Sequence, residues 1–153
     1  LLSESDFIFL LSLVIIDKID NADYFLFKFN ISKKEQKRIK NIDNFYKEKI
    51  TSKTFTEINM NKVLYYHGRQ AVLDILKYKT IMSKKFDSNL IDLIRIYENK
   101  IIPTMPVSAG LLMQKYKIPE GKQLGTKIKK IEEEWVNNNF QISDKQIDSI
   151  VNN

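Results

Sequence analysis

The chain has 153 residues, 43% of them apolar and 29% charged, which excludes a disordered protein and predicts one with a buried core. Four glycines and three prolines are few, so helices are favoured over a turn-rich β fold, and the absence of cysteine excludes disulfides and thiolate chemistry. The net charge of +6 and the pI near 9.3 indicate either an acidic partner or a lysine-rich surface that is only solvated.

The first predicted element is a buried helix that begins at Ser3 and Asp6, which resemble a capping box, and runs to about Asp17. Its apolar run, residues 7–16, is too short to cross a bilayer, which needs about 20 residues. The run also lacks the basic flank and the cleavage site of a signal peptide. Since the chain begins with leucine and not with methionine, we expect a core helix of a longer protein, with no membrane partner. A strand over residues 14–16 is the alternative.

Apolar spacing and capping signals predict that the rest of the chain is helical too. We expect helices over residues 21–30, 32–49, 55–66 and 69–83, from Ser88 onwards, over Ala109–Tyr116, from the turn at Gly121 to about Asn139, and after Ser143. The aromatic residues of the second helix lie on several of its sides, so we expect them to be buried: Tyr24, Phe25, Phe27 and Phe29. The predicted fold is all-α, an irregular bundle of about seven or eight helices, with a helical body over residues 1–102 and C-terminal tail helices over residues 103–153 packed on it.

The helix predicted over residues 32–49 is the first of two basic segments. Ser32 and Glu35 form a capping box at its start. Residues 32–40 contain five basic side chains and one acidic side chain, and we expect all five basic ones to point outward. Lys37 and Arg38 are therefore candidates for contacts with a nucleic-acid backbone. A basic face that is only solvated is the alternative.

The second basic segment lies within residues 103–140, which hold all three prolines and the only tryptophan. Pro103 and Pro106 end any helix that precedes them, because proline lacks the backbone N–H group and disfavours helical geometry in the residue before it. Ser108 caps the short helix Ala109–Tyr116. In the long helix that follows, apolar residues at spacings of four, three and four predict one buried stripe: Leu124, Ile128, Ile131 and Trp135.

The charges of this long helix run against its macrodipole, because lysines come first and Glu132, Glu133 and Glu134 come later. A helix start with free N–H groups, two glycines and clustered outward lysines suits a phosphate. The candidate residues for this site are Lys115, Lys117, Gly121, Lys122, Gly125, Lys127 and Lys130. The alternative is that the two glycines allow close packing and the lysines are only solvated.

Two stretches of the chain resemble a known family. The pattern of residues 103–140 is similar to the C-terminal segment of bacterial CCA-adding tRNA nucleotidyltransferases of the poly(A) polymerase-like class. The run from Tyr65 to Asp74 resembles that family's turn of tyrosine, basic residue and glycine with the helix that follows. The resemblance covers about residues 60–145, and it departs from the family at Leu111, where many relatives carry an acidic residue. It rests on Pro103, Pro106, the helix Ala109–Tyr116, Gly121, Leu124, Gly125, Ile128, Ile131, Glu132, Trp135 and Phe140.

The resemblance implies the body and tail of a cytoplasmic enzyme, which bind tRNA and place its 3′ end at an N-terminal catalytic head and neck. The RNA contacts to be expected are Lys122, Gly121, Gly125, Lys127, Lys130, Lys115, Lys117, Arg69, Lys37 and Arg38. The head would bring a glycine-rich turn and paired aspartates for Mg²⁺, together with CTP and ATP as substrates. Neither pattern occurs here, so we expect neither catalytic residues nor a cofactor in this chain.

Two features that could suggest other chemistry have simpler interpretations. His67 has no second histidine or cysteine with which to hold a metal, and its place beside Gly68 is typical of a helix end. The acidic run 132–134 spreads around a helix at about 100° per residue, so it forms no metal site. A helical protein-interaction or dimerisation domain without nucleic-acid binding is the second hypothesis for function.

Overall fold

A computed structural model describes residues 6–17, 19–48 and 54–152 of the chain. These residues form helices and contain no strand, so the predicted all-α fold is confirmed. The described part of the chain has nine helices, one or two more than the predicted total of about seven or eight, and each of them coincides with a segment that the sequence predicted to be helical. The helices are α1 Phe7–Ile15, α2 Asn21–Lys28, α3 Lys33–Lys47, α4 Glu57–His67, α5 Arg69–Met82, α6 Ser88–Asn99, α7 Ala109–Tyr116, α8 Lys122–Asn137 and α9 Asp144–Asn152. None of them is long and apolar enough to cross a membrane.

The chain divides into two compact units, Leu1–Lys100 and Ile101–Asn153. In the first unit α5 is the central helix, since α1, α3, α4 and α6 all pack against it. Its own side chains supply much of the core, and Val72, Ile75 and Leu76 are almost completely buried. Two apolar clusters meet along this helix. One is formed mainly with α1 and α3, and the other mainly with α4 and α6.

The helix ends show which capping signals were correct. Ser32 and Glu35 form both hydrogen bonds of the predicted capping box at the start of α3. Asp6 alone caps α1 among the described residues, because its carboxylate accepts from the Phe9 backbone N–H at 3.0 Å, whereas Ser3 lies outside the described residues. The prediction that Ser88 caps α6 is wrong. Asp87, one residue earlier, accepts the hydrogen bond from the Asn89 backbone N–H.

The expectation that the α2 aromatics are buried is wrong for most of them. The side chains of Tyr24, Phe27 and Phe29 are 61%, 88% and 53% exposed. Phe25 packs against the core, and its ring stacks on Phe29 at 4.6 Å between centroids. The reason is geometric: a two-turn helix can turn only one face towards α1 and α3, and Ala22 occupies the fully buried position.

The second unit consists of α7, α8 and α9 around one apolar cluster. The predicted stripe of α8 is confirmed, with Leu124, Ile131 and Trp135 buried and Ile128 packed against the cluster. The helix ends two residues earlier than expected, at Asn137. The chain then turns through two residues with positive φ, and Phe140 places its ring 5.0 Å from that of Trp135.

Candidate nucleic-acid interface

The start of α8 combines an open backbone with an exposed basic surface. Gly121 is the N-cap residue of α8 and has φ +145°. Because glycine has no side chain, it cannot cap the N–H groups of the first turn, and that turn contains no acidic residue. A Cβ atom built on Gly121 or on Gly125 would meet no atom within 4 Å. Close packing against the described residues is therefore not the reason for either glycine. The positive φ explains Gly121, and Gly125 leaves the helix surface free for a close approach.

Three lysines around this helix start are exposed and have no ion-pair partner in the described part of the chain: Lys117, Lys122 and Lys130. Lys117 ends α7 in the left-handed conformation at φ +56°, and Lys122 opens α8. Lys129, next to Lys130, lies 4.0 Å from Glu133, and a surface pair at that distance contributes little to stability. The α8 start thus keeps positive charge that no acidic side chain of the described residues neutralises.

Lys127 does not point outward as expected. Its ammonium nitrogen Nζ donates to the carbonyl oxygen of Val151 at 2.5 Å and lies 3.4 Å from that of Ile150. These carbonyls belong to the last turn of α9, where a helix leaves acceptors unpaired and carries partial negative charge. Lys127 therefore stabilises the end of α9 and is half-buried.

Lys115 is also occupied by neighbours within the second unit. Its Nζ lies 5.0 Å from the centroid of the Tyr116 ring and 3.9 Å from a carboxylate oxygen of Asp144. A hydrogen bond with the Tyr116 hydroxyl, and the nearby carboxylates, raise the pKa of Lys115 above its ordinary value. Tyr116 in turn donates its hydroxyl hydrogen to Asp148. This group of side chains connects α7 with α9.

In the first unit, the basic face of α3 is real but smaller than expected. Arg38 does not point into solvent, because its guanidinium donates to Asp74 from Nε at 2.5 Å and from Nη2 at 2.8 Å. Its Nη1 atom also lies 2.5 Å from a carboxylate oxygen of Asp6. The hydrogen bonds to Asp74 raise the pKa of Arg38 above its ordinary value, because their effect outweighs the opposite effect of burial. The exposed lysines that remain on this helix are Lys33, Lys34, Lys37 and Lys40.

Arg69 and His67 lie on either side of Gly68, which has φ +86° and separates α4 from α5. The guanidinium of Arg69 donates to the carbonyl oxygen of Lys100 at 3.1 Å, so one of its N–H groups is already engaged within the protein. His67 is the last residue of α4, which agrees with the prediction that it lies at a helix end. It borders a cavity of about 540 Å³ between α3 and α4, whose lining also includes Asn41, Asn44 and Lys62.

The described residues do not fit a metal ion. They contain no group of three or more histidine, cysteine, aspartate or glutamate side chains that could hold one. Glu134 accepts a hydrogen bond from Gln146 at 3.2 Å, and Glu133 is exposed. Glu133 and Glu134 thus have separate neighbours.

Comparison with protein families decides which class of protein this is. The model of the family described as "tRNA nucleotidyltransferase domain 2 putative" matches residues 1–151. The chain belongs to this family. The match covers nearly the whole chain and both compact units, and it supports the resemblance to a body and tail region of tRNA nucleotidyltransferases. Among curated proteins and among solved structures, nothing matches the chain.

The groups that the α8 start exposes are of the kind that bind phosphates. Backbone N–H groups and lysine ammonium groups are the donors that bind phosphates, and they bind without reading sequence. The ten candidate residues fall into both units: Lys37, Arg38 and Arg69 in the first, and the other seven in the second. Within the second unit, Gly121, Lys122 and Gly125 lie within the same helix start.

Two features of the structure were not predicted from the sequence. The partners of Arg38 and Lys127 lie 36 and 24 residues away along the chain, and no local pattern shows them. The run Lys84-Lys85-Phe86, by contrast, is visible in the sequence as two lysines beside an aromatic residue.

Proposed function

We propose that this domain binds tRNA through the start of α8 and so holds the 3′ end of the tRNA for a catalytic domain elsewhere in the same protein. The family supports a role in tRNA nucleotidyl transfer. The observation that carries the proposal is the helix start at Gly121, which has no side-chain cap, with Lys122 in its first turn and Lys130 about two turns further along α8. Both lysines are exposed and have no ion-pair partner among the described residues. RNA helices are recognised mostly through shape and backbone, which suits a rigid basic surface without base-specific groups.

In this proposal the chain itself transfers no nucleotide. A CCA-adding or poly(A)-adding activity, with Mg²⁺ and CTP or ATP, belongs to the catalytic head and neck that would act together with it. The proposed setting is the cytoplasm, where such an enzyme meets tRNA. The net charge of +6 supports an anionic partner, because lysines that neutralise phosphates release bound counterions and so favour binding.

A helical protein-interaction or dimerisation domain is the second candidate, and one observation favours it. The outer face of α1 shows Phe7, Leu10 and Val14 to solvent, with exposures of 72%, 39% and 77%. Residues spaced by three and four lie on one helix face, so these three form an apolar stripe. Such an interface depends weakly on salt, whereas tRNA binding through phosphates weakens steeply as salt rises.

The test compares two double substitutions that remove the same charge. Lys122→Gln with Lys130→Gln alters the α8 start, and Lys33→Gln with Lys37→Gln alters the exposed face of α3. Affinity for tRNA is measured at several salt concentrations. Each phosphate contact contributes about 0.7–0.9 to the slope of log K against log salt, so the α8 variant should bind more weakly and with a slope shallower by up to about 1.8.

Two further lysines, Lys127 on α8 and Lys47 at the end of α3, are not replaced in this test because both have structural partners. Lys127 holds the last carbonyls of α9, and Lys47 lies 2.9 Å from the buried Asp43. If the α3 variant loses as much affinity as the α8 variant, tRNA binding is not specific to the α8 start, and if the α8 variant binds like the unaltered protein, the contact does not lie there. If the protein shows no salt-dependent tRNA binding at all, the proposed function is wrong.

A further inference from the structure

The segment between α5 and α6 is short and is held at both ends. Residues 83–87 connect the two helices. At one end the Ser83 hydroxyl donates to the carbonyl oxygen of Lys79 at 2.7 Å, and at the other the Asp87 carboxylate accepts from the Asn89 backbone N–H at 3.0 Å. α5 and α6 share a core cluster that includes Leu76 and Leu90. The side chains between these anchors are therefore presented from a rigid base.

This connection exposes apolar surface in the middle of positive charge. The Phe86 side chain is 83% exposed and that of Met82 is 53% exposed. Lys84 and Lys85 are exposed too, and neither has an ion-pair partner among the described residues. Residues 75–86 contain four lysines and no acidic residue. These exposed side chains and Lys79 line an open concavity of about 600 Å³, whose lining also contains one acidic residue, Asp87.

We propose that this connection is a second RNA contact, at which an unpaired nucleotide stacks on Phe86 while Lys84 and Lys85 contact the adjoining phosphates. The inference rests on the proposed tRNA binding and adds to it a site for single-stranded RNA. An aromatic ring beside unpaired lysines is the combination used for unpaired strands, since every base has a face that can stack. Bases within a duplex are already stacked on each other, so the site takes a loop or an end of the RNA.

The composition of the patch favours RNA over a protein partner. A protein interface on this surface would bury Lys84 and Lys85 against apolar groups or would need matching carboxylates, and burying unpaired charge is costly. A phosphate chain supplies the opposite charge at regular intervals. The apolar part, Phe86 with Met82, matches one or two bases in size and is not a broad apolar face.

The experiment uses the full chain, a short single-stranded oligoribonucleotide, the same oligonucleotide annealed to its complement, and tRNA. Phe86→Ala should weaken binding of the single strand by about 5- to 150-fold, the effect of losing one stacked base. The salt slope should stay unchanged, because no charge is removed. Phe86→Trp should keep the affinity, and stacking should quench the fluorescence of the new indole. Lys84→Gln with Lys85→Gln should weaken binding and also reduce the salt slope.

Phe27→Ala is the matched control, since Phe27 is 88% exposed on α2 and lies far along the chain from the four lysines. Both exposed phenylalanines should be replaceable without loss of melting temperature, so a change in binding reports contact and not folding. Equal losses for Phe27→Ala and Phe86→Ala would overturn the proposal, as would equal binding of the duplex and the single strand. If tRNA binds and the single strand does not, this inference alone fails. If neither RNA binds, the proposed function fails with it.

Discussion

Replacing Arg38 by methionine should destabilise the first unit strongly, although sequence analysis assigned this residue to the RNA surface. Arg38 is the cation between two carboxylates: the Asp74 side chain, only 2% exposed, and the Asp6 side chain, 55% exposed. Asp74 lies on the central helix α5, and Asp6 caps α1. Methionine keeps much of the apolar length of arginine and removes the charge together with its donors.

The size of the effect follows from the burial of Asp74. Removing one partner of a buried ion pair leaves an uncompensated charge and costs about 3–5 kcal/mol of folding free energy. Gln70 still donates to Asp74 at 3.0 Å in the variant, so we expect the lower end, about 3 kcal/mol. For a chain of 153 residues each kcal/mol lowers the melting temperature by about 2–4 °C, which gives a loss of about 6–12 °C.

Thermal unfolding followed by circular dichroism measures this loss, and the neighbouring residue supplies the control. Lys37 is exposed on the same helix, so Lys37→Met should change the stability by no more than about 0.5 kcal/mol. Adding Asp74→Asn to the Arg38→Met variant removes the unpaired charge and should recover part of the loss. The reasoning is refuted if the Arg38→Met variant melts within about 1 °C of the unaltered protein, a margin close to the error of the assay. It is also refuted if adding Asp74→Asn lowers the stability of the Arg38→Met variant further.

Three further predictions concern the second unit, catalysis and pH. Trp135→Ala should cost about 3–5 kcal/mol, because Trp135 is 1% exposed, and an unchanged melting temperature would contradict the burial of the α8 stripe. The chain, incubated with CTP, ATP, Mg²⁺ and a tRNA that lacks its CCA end, should not extend the tRNA; robust extension would refute the division of roles. Burial alone would raise the pKa of Asp6, but the Phe9 N–H group and Arg38 outweigh it and hold that pKa below its ordinary value of 3.8. Asp6 therefore contributes stability above pH 3.8, which is lost as the pH falls through the lower folded value, and Asp6→Asn should make the acid limb of stability against pH shallower.

The sequence alone determined the helices and their ends to within a few residues, because these depend on neighbours along the chain. The α3 capping box joins residues three apart, and the α8 stripe repeats with the helical period. The helical spacing of apolar residues and the small number of glycines and prolines predicted the all-α class correctly. The two basic segments, on α3 and at the α8 start, were also visible, since a run of lysines is a property of composition.

Only the tertiary structure decided which charged and aromatic side chains are free to meet a partner. A helical period gives the direction of a side chain around its own axis, and it does not say which helix lies opposite. Arg38 and Lys127 looked like surface cations, yet one meets Asp74 on α5 and the other the last carbonyls of α9. Phe27 looked like core and is exposed, because α2 has room for one buried face. Lys122 and Lys130 remained free because no acidic side chain of the described chain reaches them, and that is a property of packing in three dimensions.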